Sequence, residues 1–174
     1  MVQVEHHEKL SKLKGLLKSW GGCAVAFSGG VDSTFLLAVA HEVMGKKCLA
    51  VIATSSTYPK REYDEALKWV QDRGIVHTVI VSEELDIQGF SDNPPQRCYY
   101  CKKELFSKIA YEARRFGVSV VADGTNSDDT GDFRPGMKAV QELGVRSPLL
   151  ECGLTKNDIR LISREIYNLP TADK

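Results

Sequence analysis

At 174 residues and 19.3 kDa the chain has the size of one domain, since single cores commonly hold roughly 100–200 residues. Hydrophobic residues make up 43% and charged residues 26%, which excludes disordered, collagen-like and coiled-coil chains. Twenty-three Lys plus Arg balance twenty-three Asp plus Glu, so the net charge is zero, which argues against a long basic surface for nucleic acid.

No apolar stretch approaches the roughly 18–20 residues of a membrane span; Val31 to Met44 is interrupted by Asp32, His41 and Glu42. The first residues lack the basic-then-apolar order of a secretion signal, so the expected location is the cytoplasm. The five cysteines, Cys23, Cys48, Cys98, Cys101 and Cys152, are odd in number and lie mostly in apolar runs; reduced thiols are expected rather than a disulfide framework.

From Glu8 to Trp20, apolar Leu10, Leu13, Leu16, Leu17 and Trp20 recur at helical spacing between lysines, which predicts an amphipathic helix. Cys23–Phe27 is a short apolar run suited to a buried strand, followed by a glycine-bearing turn and a helix over Ser33–Met44. The alternation continues with a strand at Cys48–Ala53, a helix at Lys60–Arg73, a strand at Val76–Val81, a helix at Cys101–Phe116 and a strand at Val118–Ala122. A short helix opened by Pro135 runs to Leu143, Arg146–Leu150 is expected as a fifth strand, and Thr155-Lys-Asn-Asp158 is a capping-box-like start for a last helix reaching about Asn168. Five short, continuously apolar strands separated by helices predict one doubly wound α/β domain over residues 1–174, its parallel sheet covered by helices on both faces. Ligands in such sheets bind at the carboxyl ends of the strands, which directs attention to the loops after Phe27, Ala53, Val81 and Ala122.

The loop after the first strand is Ser28-Gly29-Gly30-Val31-Asp32-Ser33. Paired glycines let backbone approach a ligand, and the helix start offers unpaired amides with positive dipole character, so the segment is built for an anion. The Ser28 and Ser33 hydroxyls add donors. Asp32 would repel a polyphosphate unless a cation lay between them, and Mg²⁺ is the natural mediator. The simpler alternative is a tight strand-to-helix turn in which Asp32 or Ser33 is an ordinary N-cap. Both Gly-x-x-x-x-Gly-Lys-Ser/Thr and Gly-x-Gly-x-x-Gly are absent.

This hexapeptide resembles the loop of the PP-loop ATP pyrophosphatases, which cleave ATP between the α and β phosphates and transfer AMP to a substrate oxygen. Further along, Asn93-Pro-Pro-Gln-Arg97-Cys-Tyr-Tyr-Cys-Lys102, Asp123-Gly-Thr-Asn126 with Asp128-Asp-Thr-Gly-Asp-Phe-Arg-Pro-Gly136, and Ser147-Pro-Leu-Leu-Glu151 with Gly153-Leu-Thr-Lys156 are similar to the sacrificial sulfur transferase family LarE. The resemblance implies an adenine nucleotide alpha hydrolase-like fold, ATP and Mg²⁺ as cofactors, and a homo-oligomer. It also implies adenylation of a carboxylate on a pyridinium dicarboxylate mononucleotide, as a step of sulfur transfer in nickel-pincer cofactor biosynthesis.

On this resemblance the nucleotide site comprises Ala26, Phe27, Ser28, Gly29, Gly30, Val31, Asp32 and Ser33, with Ala53 and Thr54 flanking adenine and Gly124 and Thr125 on the same rim. Ser28, Asp32, Ser33 and Arg97 are the expected catalytic residues, Asp32 the expected metal ligand, and Arg97 either a guanidinium for the leaving pyrophosphate or a surface arginine. Asp128, Asp129 and Asp132 beside Arg134 are either a solvated acidic loop or, through Asp128, Asp129 and a bidentate Arg134, the site of an anionic mononucleotide substrate. Cys98 and Cys101 cannot alone complete a four-ligand zinc site; they are expected as buried or half-buried free thiols or, at a helix start, as redox or iron–sulfur ligands. Cys152 is expected to be incidental.

The family's C-terminal sulfur-donor segment is not in this sequence, so Ile159, Leu161, Ile162 and Ile166 on the last helix are expected to lack their usual cover. Competing readings are a tRNA thiolation ligase, an ammonia-dependent synthetase of the NAD or GMP type, and a non-catalytic adenine-nucleotide sensor.

Overall fold

The computed structural model describes residues 2–82, 97–130 and 135–174. The expectations on Arg134 and Asp132 lie outside the described residues, as does the side chain of Arg97. In chain order the elements are α1 (Val2–Trp20), β1 (Cys23–Ala26), α2 (Val31–Met44), β2 (Cys48–Thr54), α3 (Lys60–Asp72), β3 (His77–Val81), α4 (Arg97–Phe116), β4 (Val121–Ala122), α5 (Pro135–Glu142), α6 (Pro148–Glu151) and α7 (Lys156–Glu165). Among the described residues no helix is long and apolar enough to cross a membrane.

The strands run parallel in the order β3-β2-β1-β4. Alternate residues divide between two apolar layers: Cys23, Val25, Phe27, Ala50 and Ile52 face α1, α2, α3 and α7, while Ala24, Leu49, Val51 and Ile80 face α4 and α5. Burial on both sides explains why the strands are continuous apolar runs rather than alternating ones. Successive crossovers carry the chain from β1 to β2 to β3 with α2 and α3 on one face; α4 then returns across the other face to place β4 beyond β1. The direction of winding reverses between β1 and β4, and the crevice at their carboxyl ends is where such sheets bind ligands.

The doubly wound parallel architecture is as the sequence predicts, but among the described residues the sheet has four strands, not five. Where Arg146–Leu150 was expected as a strand there is a single parallel bridge, Ala122 with Arg146, held by Arg146 N–H on the Val121 carbonyl (2.8 Å) and Asp123 N–H on the Arg146 carbonyl (3.0 Å). Pro148 ends it: it has no N–H to continue a ladder and its fixed φ suits the first turn of α6. Leu149 is fully buried all the same, from a helix rather than a strand, so its apolar character does not distinguish the two.

The last helix differs from expectation in a second way. Ile159 and Ile162 are buried in the core on the α2 side, and Ile166, 43% exposed, is the large apolar residue of the helix left open. Its start is the predicted capping box: Thr155 Oγ1 accepts from Asp158 N–H (3.1 Å) and Asp158 Oδ2 accepts from Thr155 N–H (2.9 Å). Lys9 Nζ donates to the same Asp158 oxygen (2.8 Å), tying this cap to α1, which begins at Val2, before its first predicted residue, Glu8.

Burial pushes the Asp158 carboxyl up, but the bonds from Lys9 and Thr155 outweigh it and hold the pKa below its ordinary value. The folded form therefore binds its proton less readily than the unfolded chain, so this stabilisation is complete above about pH 4 and disappears as pH falls through the lowered value. Asp158→Ala is expected to lose about 2 kcal/mol at pH 7. In denaturant titrations the gap between variant and wild type should narrow as pH falls below the ordinary carboxylate range; a gap that stays constant through acid would contradict the ion-pair account.

Candidate functional site

β1 ends at Ala26, and Phe27 N–H makes a last rung to the Val51 carbonyl (3.0 Å) before the chain bends. The bend requires Gly29, whose φ is +83° and where a Cβ would come within 3.3 Å of the Ala66 Cβ on α3. Gly30 is the extended N-cap of α2 and supplies no capping side chain, and the first helical bond is Thr34 N–H to the Gly30 carbonyl (3.0 Å). The amides of Val31, Asp32 and Ser33 thus have no partner within their own helix, the arrangement that attracts an anion.

Ser28 and Ser33 shape this loop themselves. Their hydroxyls lie 3.0 Å apart, Ser28 N–H donates to Ser33 Oγ (3.2 Å), and Gly30 N–H reaches Ser28 Oγ (3.4 Å). Tyr58, after β2, donates its hydroxyl to the Ser28 carbonyl (3.2 Å), pinning the bend from the other side. Burial, with Glu62 nearby, raises the Tyr58 pKa, so the phenol keeps the proton it donates.

The loop after β4 closes down on the same helix start. Asp123 is buried; Oδ1 accepts from Ser147 Oγ (2.7 Å) and Thr125 N–H (3.2 Å), and Oδ2 from Thr125 Oγ1 (3.0 Å). This sets Gly124 so close to α2 that a Cβ there would meet Ser33 N at 3.1 Å and Asp32 Cβ at 3.2 Å. Glycine at 124 is required by contact, whereas at 29 the backbone conformation also demands it.

Asp32 sits in the first turn of α2 with Oδ2 paired to Lys156 Nζ at 2.7 Å, while Oδ1 is buried and has no hydrogen-bond partner. Lys156 is the first residue of α7, and its own N–H donates to Asp128 Oδ2 (2.8 Å). Among the described residues no group of three or more His, Cys, Asp or Glu could hold a metal. The donor set fits Mg²⁺ nonetheless, since that ion is commonly held by one or two carboxylates together with substrate phosphates and water, and Asp32 Oδ1 is an oxygen lacking a cation or donor.

These elements enclose a cavity of about 550 Å³. Of the expected nucleotide residues, Ala26, Phe27, Ser28, Gly30, Val31, Asp32 and Ser33 line it from β1 and α2, Ala53 and Thr54 from β2, and Gly124 and Thr125 from the loop after β4. Gly29 lines an adjoining cavity on the α3 side instead. Asp129 reaches the first cavity, whereas Asp128 is exposed and engaged with the start of α7, so the two expected substrate residues separate. Arg97 opens α4, close in sequence to Cys101 and Lys102, which also line the cavity.

Sequence reasoning missed Lys156, Tyr58 and Ser82, which complete the lining. Lys156 lay within a motif already singled out, yet nothing local connects it to Asp32, 124 positions away. Of the other cysteines, Cys23 and Cys48 are buried neighbours across β1 and β2, and the Cys23 thiol together with burial raises the Cys48 pKa strongly. Burial likewise raises the Cys152 thiol, and all three side chains are buried in the packed core.

No protein-family model matches the chain. An uncharacterised protein of Synechocystis is 38% identical over 94% of this chain, and a pyridinium-3,5-bisthiocarboxylic acid mononucleotide synthase of Lactiplantibacillus plantarum is 35% identical over 91%. The chain spans 62% and 58% of the lengths of these two relatives. Among solved structures, an NMN synthetase from Francisella tularensis superposes with a TM-score of 0.74 at 18% identity, covering 97% of this chain and 74% of that one, which supports the fold. With the Ser-Gly-Gly-Val-Asp-Ser loop at the switch point of this sheet and a synthase relative that matches nine-tenths of this chain, the chain belongs to the PP-loop ATP pyrophosphatase superfamily and within it is LarE-like.

Proposed function

We propose that the chain binds Mg-ATP and transfers AMP to a carboxylate of a small anionic mononucleotide, releasing pyrophosphate. In the step, a carboxylate oxygen attacks the α-phosphorus, the bond from that phosphorus to the αβ-bridging oxygen breaks, and the electron pair departs on pyrophosphate. The observation that carries this reading is the bare N-terminus of α2, with the orphaned Asp32 oxygen beside it, in a cavity large enough for a nucleotide.

Open amides at the α2 start, with the Ser28 and Ser33 hydroxyls, would hold the β and γ phosphates as charge builds on them. Bound Mg²⁺ would neutralise the phosphate oxygens, and Asp32 is the residue to hold it. Lys156 would then leave the carboxylate and donate to phosphate oxygen, an exchange that conserves charge around Asp32. Lys156→Ala is expected to lower kcat/KM for pyrophosphate release by about 10- to 100-fold through loss of a charged hydrogen bond. Its stability should fall by no more than about 1 kcal/mol, because the pair is only half-buried. Normal kcat/KM in that variant would place Lys156 outside the reaction.

The finer reading is that the acceptor is a pyridinium dicarboxylate mononucleotide and the adenylate is later displaced by sulfur, in line with the name of the Lactiplantibacillus relative. Mass spectrometry of the protein incubated with ATP, Mg²⁺ and that mononucleotide tests both levels. An adenylated carboxylate supports the full reading; pyrophosphate release with other carboxylates alone leaves adenylation and removes the substrate. No pyrophosphate with any acceptor would leave a nucleotide-binding domain without this chemistry.

A further inference from the structure

The cavity has two chemically different sides. Toward β4 it is polar, with Asp123, Thr125, Asp129 and Lys156 on its wall; toward β3 it is walled mainly by Ala53, Leu105, Phe106 and Ile109, with Thr54 and Ser82 as the polar residues at the strand ends. Ser82 follows β3 directly, two strand spacings from β1 and so roughly 10 Å from the phosphate loop, about the span between the phosphates and the base of a nucleotide. A base with its phosphates on α2 would lie on this apolar side.

Ser82 is held rigidly. Its N–H donates to the Thr54 carbonyl (2.9 Å), it is only 8% exposed, and its hydroxyl donates to Glu104 Oε2. Glu104 Oε1 is paired with Lys108 Nζ (2.6 Å), which also donates to the Val81 carbonyl (2.5 Å), so the carboxylate is fixed as an acceptor. A serine hydroxyl carries one proton and two lone pairs. With that proton on Glu104, Ser82 has only acceptor capacity left for the cavity.

We propose that Ser82, oriented by Glu104, is a specificity-determining residue that selects a 6-amino purine over a 6-oxo purine. An exocyclic amino group would donate to Ser82 Oγ, whereas a 6-oxo group would set two acceptors against each other at a buried hydroxyl, the situation polar sites reject most strongly. The inference rests on the proposed nucleotide site, and the test separates the two.

Calorimetric titration of the intact chain with Mg-ATP and Mg-ITP, which differ at the 6-position and its adjoining ring nitrogen, reads the selectivity directly. Wild type should prefer ATP by about tenfold or more, and Ser82→Ala should weaken ATP and bring the two within about threefold. Glu104→Ala, at a half-buried position of α4, frees the hydroxyl to turn and donate; it should tighten ITP relative to ATP, a shift that a merely structural role would not produce. A wild type that binds neither nucleotide overturns the site itself and this proposal with it. ATP binding with the same ATP-to-ITP ratio in all three proteins overturns Ser82 selection alone.

Discussion

Asp32→Ala is expected to reduce Mg²⁺-dependent pyrophosphate release by about a hundred- to a thousand-fold, the scale seen when one preorganised charge-stabilising group is removed. Two consequences of the geometry combine in this variant. The buried oxygen that would hold the cation is gone, and Lys156 loses the carboxylate on which it rests, so both cationic contributions to the phosphate site are displaced. An acidic residue in the first turn of a helix also supports the helix dipole, but only by about 0.3–1 kcal/mol. For a chain of this size that is a melting-temperature change of roughly 1–4 °C. Magnesium titrations of ATP cleavage alongside thermal melts distinguish the roles: a fold that melts almost normally with no metal-dependent turnover assigns Asp32 to the chemistry. Unchanged turnover would reduce it to the ordinary helix-start residue that the sequence also allows.

Phe35→Ala is expected to be the most damaging single change to stability, at about 3–5 kcal/mol. Phe35 follows the phosphate loop by two residues, is fully buried between the sheet and α7, and meets Tyr167 edge-on at a centroid separation of 6.0 Å. Truncation removes the ring's burial and leaves a void that tightly packed neighbours such as Leu36 and Ile162 cannot fill. Melting should fall by roughly 6–20 °C. Because α2 carries the open amides, the loss should also reach ATP binding below the new melting temperature, as a raised Kd. A drop of less than about 1 kcal/mol would show that the core repacks around the hole and that α2 is not anchored there.

What the sequence by itself determined is local or periodic. The apolar runs of β1 and β2, the spacing of Leu10, Leu13 and Leu17, the Thr155–Asp158 box and the paired glycines before α2 each follow from chemistry within a few residues, and together they specify a parallel sheet with an anion-binding bend. Where a short apolar stretch suits two structures, local chemistry stops being decisive: Arg146–Leu150 was expected as a strand, and Pro148 with a single available bridge to Ala122 made it the start of α6. Only the tertiary structure decided the partners. The sheet order brings residue 156 onto residue 32 and Tyr58 onto Ser28, buries Ile159 and Ile162 against α2, and turns Asp128 toward a helix start while Asp129 keeps its place on the cavity wall. Side-chain pairing across such separations depends on how strands and helices stack, and no property of Lys156 or Ser82 in isolation carries that information; the electrostatics of the site came into being with the fold.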